Sequence, residues 1–67
     1  MIKSLIRAYL RKYGNELRTK REIAKVSQIE VAKKLACSQA IISHLETGHF
    51  LPSEKFESKL IELYNNI

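Results

Sequence analysis

Ser38, Gln39, Ala40, Ser43 and His44 fall within one short stretch, at spacings that a single helix face brings together. Between them stand Ile41, Ile42 and Leu45, an apolar set that turns the opposite face inward. The outward set is small, polar and rich in donors and acceptors. On a rigid helix such side chains suit the edges of nucleotide bases, and an α-helix fits the major groove of duplex DNA. Gln39 is the first choice for direct readout, because a glutamine amide can bond adenine N6 and N7 together. Ala40 offers only a methyl contact to thymine. His44 can donate to a guanine acceptor or to phosphate, and can equally stand as a solvated surface histidine. The chain holds no nucleophile–base pairing, carboxylate dyad, phosphate-binding loop or metal-ligand set, so neither an enzyme nor a cofactor is expected.

The elements that must hold this row are legible from capping and periodicity. Ser27 and Glu30 stand in capping-box spacing, which opens a short helix running to about Leu35 with Val31, Ala32 and Leu35 as its apolar stripe. A three-residue turn follows, and Ser38 opens a second helix that closes at Glu46. Neither helix buries enough surface alone, so the two must pack on each other and on flanking segments. Upstream, Ile2, Leu5, Ile6, Tyr9, Leu10 and Tyr13 recur at helical spacing, and Gly14–Asn15 can end that helix and start another reaching about Lys25. One longer helix carrying Gly14 at a cost of about 1 kcal/mol is the alternative. Downstream, Ser53 caps a last helix with Phe56, Leu60, Leu63 and Tyr64 inward. No strand pattern or repeat occurs. The expected fold is all-α, a compact bundle of about five short helices.

From about Tyr13 to Tyr64 the chain resembles the Cro/C1-type helix-turn-helix family of phage repressors. The resemblance rests on Leu17 and Arg21, then Ser27-Gln28-x-x-Val31-Ala32-x-x-Leu35, then Ser38, Ile42, Leu45-Glu46-x-Gly48 and Pro52-Ser53. It implies a lambda-repressor-like DNA-binding domain with residues 14–67 as the Cro/C1-type core and residues 1–13 as an extra N-terminal helix. It implies base reading by Ser38, Gln39, Ala40, Ser43 and His44. Phosphate contacts would come from Arg21, Ser27, Gln28, Thr47, Gly48 and His49. Gln28 has physical support, since free N–H groups and the dipole at a helix start favour an anion; Ser27 serves equally well as a cap alone. The family also pairs Arg21 with Glu46, an ion pair tying an early helix to the end of the reading helix. Ala36 departs from the family, which usually has glycine in the turn; alanine at positive φ is strained by about 1 kcal/mol.

The function so implied is a sequence-specific, double-stranded-DNA-binding transcriptional regulator, a repressor of phage, plasmid or mobile-element type. A protein-interaction module, such as an antitoxin or anti-repressor partner, is the alternative. The charge agrees with a polyanionic partner: 12 Lys and Arg face 7 Asp and Glu in 67 residues, a formal net charge of +5, although solubility alone also benefits. One domain is expected at this length. Apolar runs are too short for a membrane span, and the single Cys37 allows no internal disulfide, which points to a reducing cytoplasm. A homodimer is expected, with Phe50, Leu51, Tyr64 and Ile67 as candidate interface residues or, alternatively, core. The N-terminal helix is expected to join the core, with dimerisation as its other possible role.

Overall fold

Every helix start that carries a serine signal begins where that serine can cap it. The computed structural model describes residues 2–66, with side chains from Leu5 onward. Among these residues are four α-helices: α1 (Ile2–Ile23), α2 (Gln28–Lys34), α3 (Gln39–Glu46) and α4 (Glu54–Asn65). Ser27 Oγ accepts the Glu30 N–H at 3.1 Å while Glu30 Oε1 accepts the Ser27 N–H at 3.2 Å, a reciprocal capping box. Ser38 Oγ and Ser53 Oγ accept the N–H groups of Ile41 and Phe56 in the same way.

The expectation of five short helices is corrected to four. Gly14 does not break the chain's first helical run; α1 passes straight through it, across the boundary expected between an extra helix and the core. The reason is tertiary. A Cβ at residue 14 would lie 2.4 Å from the Leu45 carbonyl oxygen and 2.7 Å from that of Glu46. Gly14 is the notch that lets α1 cross tightly over the last turn of α3. Close approach at this crossing outweighs the roughly 1 kcal/mol that a mid-helix glycine costs.

The core is formed by Leu17 of α1, Val26 in the α1–α2 connection, Val31 and Ala32 of α2, Ile42 and Leu45 of α3, and Leu60 and Tyr64 of α4. Val31, Ile42, Leu45 and Leu60 are essentially fully buried, each contributing roughly 1.5–3 kcal/mol of burial free energy. Two inward assignments are corrected. Ile41, placed on the apolar stripe of α3, is 39% exposed, because the inward face of this eight-residue helix is taken by Ile42, Leu45 and Glu46. Leu5, Ile6 and Tyr9 are exposed rather than core. A 22-residue helix spans about 33 Å, and the molecule measures 39 × 21 × 19 Å, so the first turns of α1 project beyond the body that α2, α3 and α4 build.

Three helices end in the same hydrogen-bonded turn. Val26, Cys37 and His49 each return an N–H to the carbonyl five residues earlier, those of Arg21, Ala32 and His44. The residue before each lies in the left-handed region: Lys25 at φ 60°, Ala36 at φ 55° and Gly48 at φ 83°. Only the last is glycine. No sequence signal marks Lys25, whereas Ala36 carries the strain expected of it. Ala36→Gly is therefore expected to raise stability by up to about 1 kcal/mol, offset in part by the freer unfolded chain. Urea unfolding should show a higher midpoint at constant slope; a midpoint that stays or falls rejects strain at this turn.

Candidate nucleic-acid interface

α3 presents the row of side chains read from the sequence. Ser38, Gln39, Ala40 and His44 are exposed and Ser43 is half-buried, while Ile42, Leu45 and Glu46 anchor the helix from below. Eight residues make an element about 12 Å long, comparable with the width of the major groove. The row is thus carried on a short rod whose opposite face supplies Ile42 and Leu45 to the core.

Below the row runs a chain of hydrogen bonds joining three helices. Arg21 Nε donates to Glu46 Oε2 at 2.7 Å and Arg21 Nη2 to Glu46 Oε1 at 3.2 Å, a two-point fork with the side chains only 12% and 2% exposed. Arg21 Nη1 donates to the Val26 carbonyl at 2.8 Å, which fastens the end of α1. Glu46 Oε1 also accepts from Gln28 Nε2 at 3.0 Å, and Gln28 Oε1 accepts from Gln39 Nε2 at 3.4 Å. Among the described residues no buried side-chain nitrogen or oxygen lacks a partner. The family resemblance implied an Arg21–Glu46 pair; that Gln28 joins this pair to Gln39 was not legible, since Gln28 bridges residues 11 and 18 positions away.

Donor arithmetic decides what the network leaves for a ligand. Gln39 uses one N–H on Gln28, so its carbonyl oxygen and second N–H stay available, the pair that an adenine edge requires. Gln28 likewise keeps one amide N–H. Ser27 and Ser38 accept with their lone pairs as caps and retain their hydroxyl protons. Arg21 spends three of its five N–H donors internally and is nearly covered, so its work is mainly structural. The Glu46 carboxylate raises the affinity of Arg21 for its proton through that hydrogen bond, outweighing the opposing effect of burial.

Beyond α3, Thr47 Oγ1 donates to the Ser43 carbonyl at 2.9 Å and sits 2.8 Å from His49 Nδ1. The His44 and His49 rings lie 4.8 Å apart at 34°. Gly48 backs onto α1; a Cβ there would meet Arg11 Cα and N at 2.9 Å, a second reason besides its φ for glycine. Cys37 is half-buried, and burial pushes its thiol up, away from reactivity.

Of the residues expected at a dimer surface, Phe50 and Leu51 are exposed and Ile67 lies outside the described residues. Tyr64, read both as inward on the last helix and as a candidate interface residue, lies in the core: burial first, then the nearby Glu46 carboxylate, push its phenol up to about 12, with Arg21 acting in the opposite sense. Among the described residues no three His, Cys, Asp or Glu side chains are grouped to hold a metal ion, and no helix is long and apolar enough to cross a membrane.

Four helices with a capped α2–turn–α3 unit and a polar, outward α3 define a helix-turn-helix domain. Residues 17–66 match the family described as Helix-turn-helix, and the chain belongs to its Cro/C1-type branch. It is also similar to the "ImmF control region 10 kDa protein" of Bacillus phage phi105, at 36% identity over 55 residues, which is 82% of this chain. The matched segment spans 61% of that relative's length. No solved structure is significantly similar.

Proposed function

We propose that this chain is a sequence-specific regulator of transcription, a repressor of phage type that binds its operator as a symmetric dimer. The observation that carries the reading is Gln39, exposed at the start of α3 yet tethered through Gln28 to the buried Arg21–Glu46 pair. A tethered amide loses less side-chain freedom when it meets a base than a free one does. Ser38, Ala40, Ser43 and His44 complete the base-facing row. Ser27, Gln28, Thr47 and His49 flank it as phosphate contacts, with a small share from Arg21, while Gly48, whose N–H is bonded to the Leu45 carbonyl, shapes the loop that carries Thr47 and His49. The phage relative's description as a control-region protein supports a regulatory role.

The mechanism is occupancy: bound at the operator, the protein blocks polymerase. One short helix reads too few base pairs for useful discrimination, so two copies engage half-sites about 34 Å apart, with Phe50 and Leu51 as candidate interface residues. Selection of bound sites from random duplexes is expected to return a palindrome with that spacing. Gln39→Ala should then lose about 1–3 kcal/mol of discrimination at a single base position, measured by competition between operator and singly substituted duplexes. An equal loss on every sequence would reject direct readout by Gln39.

A further inference from the structure

We propose that the projecting half of α1 adds a phosphate-binding groove beside the base-reading face, formed by Arg7 and Arg11 together with Thr47 and His49. The proposal rests on the duplex-binding reading and extends the footprint onto a helix outside the helix-turn-helix unit. Arg7 and Arg11 are one turn apart on the same helix face. Both are exposed and line an open groove whose other wall is the Thr47–Gly48–His49 loop and whose floor includes Leu10. The loop is held against α1 because Gly48 has no side chain to fend off the Arg11 backbone. Among the described residues the ion pairs are Arg18–Glu22 and Arg21–Glu46, so neither groove arginine is neutralised by a carboxylate.

The location selects the anion. His49 lines the groove, and its ring packs 4.8 Å from that of His44, the last member of the outward row on α3. His49 thus stands between the groove and the row that would face the bases, so an anion held there would be a phosphate flanking the base-reading site. The loop's own N–H groups cannot serve, since those of Thr47, Gly48 and His49 are all bonded to α3 carbonyls. The guanidinium forks must supply the donors, and their planar geometry matches phosphate oxygens.

The test is the salt dependence of binding to the selected operator and to a random-sequence duplex, with the full chain. Replacing both arginines (Arg7→Ala with Arg11→Ala) should weaken both duplexes by one common factor and make the log–log slope shallower by about 2 per protomer. The double replacement by lysine should keep most of the slope. Lys59→Ala, which removes one charge from a cleft between α2 and α4, should leave it near the parent value. Parent-like slope and affinity in the double alanine variant, with an unchanged melting temperature, would overturn the groove alone. A loss of binding that tracks a change in oligomeric state on gel filtration would overturn it too. A parent protein that binds no duplex at low salt would overturn the duplex-binding reading as well.

Discussion

Glu46→Ala should cost about 3–5 kcal/mol of stability, as much as truncating a fully buried aliphatic side chain of the core. The substitution removes both acceptors of the Arg21 fork and leaves that guanidinium, nearly covered, with the Val26 carbonyl as its one remaining protein partner. It also strips Gln28 of its acceptor and so frees Gln39, which Gln28 holds. The penalty is mostly that of an uncompensated charge rather than the worth of the pair, because forming a buried pair itself requires desolvating both ions. A joint replacement, Arg21→Met with Glu46→Leu, should therefore recover most of the lost stability. For a domain of this size the single variant's melting temperature should fall by roughly 15–30 °C, followed by far-ultraviolet circular dichroism. A Glu46→Ala protein that melts with the parent would dispose of the network as a stabilising feature. The joint variant supplies a second reading: it should fold yet discriminate poorly among duplexes, because Gln39 has lost its tether.

Gly14→Ala should also destabilise, by about 2 kcal/mol or more, against the sign that helix propensity alone assigns. At an exposed mid-helix site the same change stabilises by about 1 kcal/mol. Here the new methyl group would meet the Leu45 and Glu46 carbonyl oxygens at 2.4 and 2.7 Å, and carbonyls within a helix cannot rotate away. α1 must back off from the end of α3, loosening the core around Leu17 and Leu45 and displacing Glu46 from Arg21. Urea unfolding at fixed temperature decides the sign directly. An alanine variant more stable than the parent would mean that the crossing has slack and that Gly14 is merely tolerated. Gly14→Val, bulkier at the same contact, should unfold the domain outright.

Local physics wrote much of the plan into the chain. Ser27 with Glu30, Ser38 and Ser53 announce helix starts because a cap and its N–H lie within three residues. Val31, Ala32, Ile42, Leu45 and Leu60 announce the core because burial follows the helical period. The outward row from Ser38 to His44 is the complement of that same period, so its exposure was legible too. The resemblance to the Cro/C1-type family rests on these residues. What the tertiary structure alone decided depends on distances between segments far apart in sequence, to which periodicity is blind. Gly14 reads as a break when seen along the chain and becomes a notch only when α3 lies across it. Tyr64 reads as inward from its helical period, but only the packed structure sets it beside the Arg21–Glu46 pair. Gln28 reads as a phosphate contact at a helix start until the fold shows that it also bridges Gln39 and Glu46. Arg7 and Arg11 are an ordinary basic face until Gly48 brings the end of the reading helix against them. Capping and patterning act over a few residues; backbone contact between helices is decided only when the whole chain has packed.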